Sequence, residues 1–434
     1  LSKNFLRIPF KYGYNEYQEV DMNIKSSAVK DKANKLGRRQ FLKNAGAAAL
    51  AFTIVEPQLV RGSAANSKIK LGLVGCGGRG TWLADLFQKH GGYQFTAAAD
   101  YFQDKVDAFG EQYKIDKNQR FTGLNGYKKL LAGKAVDAII IQTPPYFHPE
   151  QAAAGVEAGV HVYLAKPIAV DVPGCMSIQQ SAQKAGAQKL CFLVDFQTRT
   201  HPFYREAVKR VQYGDIGKIV SGEAAYLCDA TWSQYYPFFE NGNISPENRL
   251  RAWGLSRELS GDVITEQNIH VLDVATWILD EHPLQATGFS YRYRPVGTCH
   301  DTNSVIYTFP GDVLLTFHSK QFGKAYDDLL CRMYGANGVI DTHYFGSVSI
   351  SGDKPFKGGD VGNLYTDGAV SNIADFHANI TSGKYANTTV APSVRSNLTT
   401  IMGRLAADKG APVSWEEVSN SQATLTPDLT GLVL

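Results

Sequence analysis

Lys166 ends the apolar run Val162-Tyr163-Leu164-Ala165 and stands directly before Pro167. An ammonium is almost never fully buried without a partner, so a lysine closing a strand-like run must have something polar to touch. Further along, Glu266, His270, Asp273 and Trp277 recur at i, i+4, i+7 and i+11, one stripe of a helix. The remaining positions include Ile269, Val271, Leu272, Val274, Ala275, Ile278 and Leu279, and a helix apolar nearly all round is buried. Its polar stripe must therefore face a partner or a cavity. An imidazole titrates near neutral pH, which makes His270 the candidate general base or acid; a structural His–Asp pair is the plain alternative. Desolvation lowers the pKa of a lysine, so Lys166 can share in moving a proton.

A third group belongs to a cofactor. Gly75-Cys76-Gly77-Gly78-Arg79-Gly80 fits G-x-G-x-x-G, follows a strand pattern, opens a helix, and stands 20 residues ahead of Asp100. Gly75 permits the tight turn, Gly77 lets the backbone approach a pyrophosphate, and Gly80 allows close helix–strand packing. Together with Gly78 and Arg79 they precede a helix N-terminus whose free N–H groups favour phosphate. Asp100 would accept hydrogen bonds from a ribose 2′-hydroxyl and repel a 2′-phosphate, so NAD is expected rather than NADP.

The elements that must position these groups follow from periodicity. Strands are expected at 69–74, 95–99, 138–141 and 160–164, with helical patterns from Thr81 and at 102–113, 147–158 and 173–186. That alternation predicts a parallel sheet covered on both faces. Past residue 195 the pattern changes to strand-like stretches at 218–227, 285–294, 302–309, 312–319, 328–334 and 346–351. Helices are expected there at 202–213, 264–279, 370–381 and 393–408. The expected fold class is α/β: an N-terminal Rossmann doubly wound parallel sheet, then an α+β domain with a large, mostly antiparallel open sheet. The expected division is a leader over 1–66, an NAD-binding domain over 67–194 and a substrate and oligomerisation domain over 195–434.

Several separated motifs bring a family into view. Beside the glycine loop stand Gln142-Thr143-Pro144-Pro145-Tyr146-Phe147-His148, Ala165-Lys166-Pro167, Asp195-Phe196-Gln197-Thr198-Arg199 and Glu266-Gln267-Asn268-Ile269-His270-Val271-Leu272-Asp273. In this order they resemble the Gfo/Idh/MocA oxidoreductases, the family of glucose–fructose oxidoreductase and inositol dehydrogenase, over about residues 68–415. The resemblance implies that Thr143, Pro144 and His148 lie under the cofactor and that Gln197 lies beside it. It further implies that Lys166 hydrogen-bonds the reacting hydroxyl, and that Glu266, His270, Arg199 and Asp273 belong to the substrate side. Two departures stand out. Ala165 replaces the family's usual glutamate, which predicts a Lys166 less strongly held as an ammonium, and Glu266 replaces an aspartate.

Hydride transfer from a sugar C–H needs a group to take the hydroxyl proton, while the cofactor carries the difficult step. Thr231-Trp232-Ser233-Gln234-Tyr235-Tyr236-Pro237-Phe238-Phe239 is the densest aromatic cluster, and Trp232 and Tyr235 are candidates to stack on a sugar or to pack a loop. The expected activity is an oxidoreductase moving hydride between a sugar or cyclitol CH–OH and a tightly held nicotinamide. An NAD-dependent glycosidase acting by transient oxidation and elimination is the second reading. A non-catalytic sugar-binding relative is the third.

The bulk composition excludes other classes. Residues 1–66 carry 11 Lys/Arg against 5 Asp/Glu, so the formal charge of +3 is a local excess and the remainder is slightly acidic. A near-neutral body does not support nucleic-acid binding. No apolar run reaches the roughly 18 residues of a membrane span. The six cysteines show neither C-x-x-C nor metal-ligand spacing, so no metal site is expected. Arg38-Arg39-Gln40-Phe41-Leu42-Lys43, the apolar run to Val55 and Ser63-Ala64-Ala65 resemble a twin-arginine export signal, with Met22 the expected start. Export of folded protein predicts a periplasmic enzyme that retains its cofactor, or a cytoplasmic one if the signal is not used. The open sheet of the second domain predicts a homodimer or homotetramer.

Overall fold

Ile69–Val74 (β1) alternates no polarity because both faces of this strand are covered, as the burial of Leu71, Leu73 and Val74 shows. The computed structural model describes residues 68–239, 244–324 and 326–434; the stretch expected to be a twin-arginine signal and the expected start at Met22 lie outside the described residues. After β1 come α1 (Gly78–His90), β2 (Tyr93–Asp100), α2 (Gln103–Gln112), β3 (Arg120–Thr122), α3 (Gly126–Ala132) and β4 (Ala138–Ile141). The first sheet is completed by α4 (His148–Glu157), β5 (His161–Ala165), α5 (Val172–Ala187) and β6 (Phe192–Asp195). All of its pairings are parallel, in the order β3-β2-β1-β4-β5-β6. The strand order reverses beside β1, and at such a switch point the carboxyl ends of neighbouring strands open a crevice. The glycine loop, Asp100, Thr143 and Lys166 all stand on that edge.

The chain continues through α6 (Pro202–Gln212), β7 (Ile219–Leu227), α7 (Pro246–Arg251), α8 (Arg257–Ser260), α9 (Val263–Glu266) and α10 (Ile269–Leu279). Then follow β8 (Gln285–Tyr291), β9 (Thr302–Phe309), β10 (Val313–Lys320), β11 (Asp328–Gly335), β12 (Gly338–His343), β13 (Ser347–Gly352) and β14 (Phe356–Asp360). The chain ends with α11 (Leu364–Ser382), α12 (Val390–Lys409), β15 (Val413–Ser414) and α13 (Trp415–Ser419). The second sheet runs β14-β13-β12-β11-β7-β10-β9-β8-β15, antiparallel except for β7 beside β10. Its strands alternate buried and exposed residues, as a sheet with one covered face must. Helix α10 fills the covered side, packed against α6, α12, β7 and β11.

Three differences from the sequence expectation matter for the site. The helix expected over 264–279 is broken at Gln267–Asn268, where His270 N–H reaches Gln267 O (3.3 Å) and Val271 N–H reaches Asn268 O (3.2 Å). These tight i→i+3 bonds displace Glu266 from the stripe of His270 and Asp273. Strands β3, β6, β12, β14 and β15 were not expected: all but β12 span five residues or fewer, and β14 carries two glycines, which weakens a periodic signal. Helix α11 begins earlier than expected, at Leu364, and lies on α1, while α12 lies on α5. The last part of the chain thus returns to the first sheet.

Candidate active site

The glycine loop is shaped by contacts that only glycine tolerates. A Cβ on Gly80 would sit 2.0 Å from Gly75 O, and one on Gly75, whose φ is +98°, would meet Gln142 C at 2.7 Å. A Cβ on Gly77 or Gly78 would meet nothing within 4 Å. Two of the glycines close the loop on itself and two leave space beside the start of α1.

Asp100 holds this loop in place. Its carboxylate accepts from Cys76 N–H (2.7 Å) and from Phe102 N–H (2.9 Å), tying the loop to the start of α2. Burial raises its pKa and these two bonds oppose the rise. Each oxygen keeps a second lone pair, so a ribose hydroxyl can still be received.

Beside the loop, Arg79 is already engaged. It donates to Asp195 Oδ2 (2.8 Å) and to the Tyr365 hydroxyl (2.6 Å), with Trp82 and Tyr365 against its guanidinium. Asp195 is fully buried, and Asn372 donates to its other oxygen (2.8 Å). The sequence placed Arg79 among the phosphate ligands; the structure makes it the link between the loop, β6 and α11.

Thr143 and His148 form the floor. Thr143 Oγ1 donates to Gln151 Oε1 (2.6 Å). The buried His148 ring lies between Thr143 O and Pro167 O, each 2.8 Å from a ring nitrogen. Burial pushes this imidazole down to about 4, against the pull of the two carbonyls. His148 thus ties the Thr143-Pro144 turn to the turn after Lys166.

Across from the loop, Lys166 Nζ donates to Glu266 O (2.7 Å) and lies 3.6 Å from Glu266 Oε1. Where Ala165 supplies no charge, Glu266 from α9 supplies one. Burial lowers the Lys166 pKa; Glu266 resists that shift and Arg79 adds to it. His270 is 8% exposed, its ring edge-on to Tyr344 with centroids 5.3 Å apart. Its pKa falls well below the usual imidazole value through burial first, then through the charges of Lys166 and Arg79. Nδ1 of His270 has no hydrogen-bond partner among the described residues. Lys166, Glu266, His270 and Arg79 therefore gather where the carboxyl edge of the first sheet approaches the helices that cover the second.

The other sequence candidates stand elsewhere. Arg199 binds Asp273 through Nε (2.9 Å) and Nη2 (2.8 Å), and Ser396 donates to the same carboxylate (2.6 Å). Asp273 has no exposure, so this pair is a buried tie between α10, α12 and the segment after β6. Trp232 lies on Gly254, where an added Cβ would come 2.2 Å from its ring, and edge-on to Trp253 (4.7 Å); Tyr235 packs against Trp232. These rings pack a loop against the Trp253-Gly254 turn between α7 and α8.

Gln197, which the sequence reading placed beside the cofactor, is joined by three residues it did not single out: Gln142, Tyr344 and Tyr365. Gln142 and Gln197 are carboxamides whose oxygen and nitrogen are buried and unpartnered among the described residues. Unsatisfied buried amides are costly unless a ligand meets them. With the open space at Gly77 and Gly78, they fit a dinucleotide carrying its own amide and phosphates. Tyr344 and Tyr365 come from stretches without any motif, so only the fold brings them here.

Two family profiles match the chain in succession. The oxidoreductase family with an NAD-binding Rossmann fold covers residues 69–192, and the GFO/IDH/MocA C-terminal domain covers residues 204–341. A glycosyl hydrolase family 109 protein of Shewanella pealeana is 26% identical over 249 residues, 50% of this chain and 54% of that protein. The alpha-N-acetylgalactosaminidase of Shewanella oneidensis is 25% identical over 297 residues, 63% of this chain and 62% of that enzyme. The chain therefore matches little more than half the length of these curated relatives. The solved myo-inositol 2-dehydrogenase of Lactobacillus plantarum superposes with a TM-score of 0.64 at 20% identity, covering 80% of this chain and 99% of that one. At that identity the likeness speaks for the fold.

Proposed function

From the premise that this chain belongs to the Gfo/Idh/MocA family of NAD-binding oxidoreductases, we propose that it oxidises a sugar or cyclitol CH–OH group reversibly. The observation that carries this is the meeting of Lys166 and His270 opposite a glycine loop whose open side fits NAD. When bound there, the nicotinamide supplies an acceptor for the hydride of the substrate C–H, leaving a ketone as the hydroxyl proton departs. Gly77, Gly78 and the start of α1 would hold the phosphates, Asp100 the ribose, and Gln142 and Gln197 the amide-bearing end.

The rest is work for this chain's own side chains. Lys166, anchored by Glu266 O and neighboured by its carboxylate, presents its remaining N–H groups to the reacting oxygen. His270 is neutral at neutral pH, because burial and two nearby cations disfavour the imidazolium, so it arrives able to accept a proton. Its acceptance and the charge on Lys166 are coupled: each proton lost by the lysine makes the imidazolium less costly. The buried walls around both groups exclude competing water.

A second reading is favoured by the names of the curated relatives, which are glycosidases. In it the same oxidation acidifies the neighbouring C–H, the glycosidic bond is eliminated, water adds and hydride returns, with no net redox change. Purified protein is incubated with inositols, free sugars and aryl glycosides, including aryl α-N-acetylgalactosaminide, while reduced nicotinamide and released aglycone are both recorded. Lasting nicotinamide reduction supports the dehydrogenase, and aglycone release without net reduction supports the glycosidase. Protein that binds NAD but performs neither on any of these substrates overturns both.

A further inference from the structure

The last residues of the chain carry a role that the chemistry above does not use. Residues 421–429 have no regular structure and cross from one side of the first sheet to the other. Near the start, Leu425 N–H donates to Asp171 Oδ2 (3.0 Å), just beyond β5. Near the end, Leu124 N–H donates to Val433 O (2.9 Å), just beyond β3. Four strand spacings separate β5 from β3, about 19 Å. The eight residue steps from Leu425 to Val433 reach at most about 28 Å, so the segment is long enough to span the sheet's carboxyl edge between these two anchors.

Its contacts lie on the Asp100 side of the groove. The Tyr101 hydroxyl, directly after Asp100, accepts from Val433 N–H (3.3 Å) and donates to Glu247 Oε1 on α7 (3.3 Å). Leu432 is nine-tenths buried in an apolar cluster with Tyr101, Leu124, Tyr146 and Leu259. Pro427 is buried as well, whereas residues 422–424 are exposed. Helix α7 adds a second cover: the Arg251 guanidinium lies 3.8 Å above the Phe102 ring and reaches Asp104 (3.1 Å). A dinucleotide with its pyrophosphate at the glycine loop and its ribose at Asp100 would extend its base past Asp100 toward Tyr101, Phe102, Tyr146 and Phe147, which share one apolar cluster with Leu432. That is the side closed by this segment and α7.

We propose that residues 421–434 form a strap over the adenosine side of the groove, so that NAD is retained as a resident group. The proposal rests on the NAD-binding reading above. A strapped cofactor would exchange slowly with free NAD.

The test compares the full chain with a variant ending at Asn420, with Leu432→Asp and with the milder Tyr101→Phe. Each is loaded with NADH and chased with excess NAD, and loss of nicotinamide fluorescence gives the dissociation rate. The truncation and Leu432→Asp are expected to release NADH about tenfold faster or more, since changes at one binding surface act mainly on the off-rate. Tyr101→Phe is expected to release it severalfold faster while melting with the wild type. Limited proteolysis reads the strap without any turnover: cleavage near residues 422–424 is expected to slow when NAD is added. Unchanged release from the folded variants, with NAD-independent cleavage, overturns the strap and leaves cofactor binding standing. Failure of the full chain to bind NADH at all overturns both.

Discussion

Lys166 and His270 bear the same burden from burial: the charged form of each is disfavoured, Arg79 adds to this for both, and Lys166 adds to it for the histidine. What separates them is Glu266, whose carboxylate lies near the lysine. Removing that carboxylate takes away an interaction that favours the ammonium, so the Lys166 pKa must fall further. In the pH profile of kcat/KM, the basic limb is expected below the ordinary lysine range. In Glu266→Gln it should move down again, because the charge that favours the ammonium is gone. A limb that stays in place would remove Glu266 from the role of counter-charge. His270, already neutral, should contribute no acidic limb near its ordinary pKa.

At the scale of the element, the four glycines of the turn after β1 and the first turn of α1 divide into two tasks that substitution can separate. Gly80→Ala drives a methyl into the Gly75 carbonyl, so the helix must shift from the strand, and both stability and NAD binding should fall. Gly77→Ala meets no protein atom and has an ordinary φ of −71°, so the apo-protein should melt with the wild type. Its methyl nevertheless occupies the side where phosphate approaches, and NAD affinity measured by calorimetry should drop about tenfold or more. Loss of apo stability in Gly77→Ala, or intact binding in Gly80→Ala, would refute this division. The break between α9 and α10 belongs to the same scale. An unbroken helix would keep Glu266 on the stripe of His270 and Asp273, whereas the tight turn at Gln267 gives its backbone carbonyl to Lys166.

For the molecule as a whole, the joint between the two sheets decides whether Lys166 and His270 meet. The Arg199–Asp273 pair sits in that joint, held by three hydrogen bonds and by Ser396. Asp273→Ala leaves a guanidinium largely buried without its partner, and is expected to destabilise the chain by roughly 3–5 kcal/mol in denaturant titration. NADH binding by the protein that remains folded should be unchanged, because neither residue touches the glycine loop; a selective loss of binding with intact stability would contradict this.

The sequence by itself determined the glycine loop, Asp100, the alternation of β1 to β5 with their helices, and, as separate candidates, Lys166 and a buried histidine-bearing helix. Those features are local: turns that need glycine, periodicities of 2 and 3.6, and the cost of burying an unpaired charge. It also singled out Arg199, Asp273, Trp232 and Tyr235, whose residue types suit a sugar site. Only the tertiary structure showed that their charges and rings are taken up by each other and by neighbouring loops. Arg79 met Asp195 and Tyr365, residues 116 and 286 positions away, and the strap met Tyr101 across 332. No periodicity encodes such meetings, because they depend on how completed sheets and helices pack, and that packing selects which polar groups stay free for a ligand.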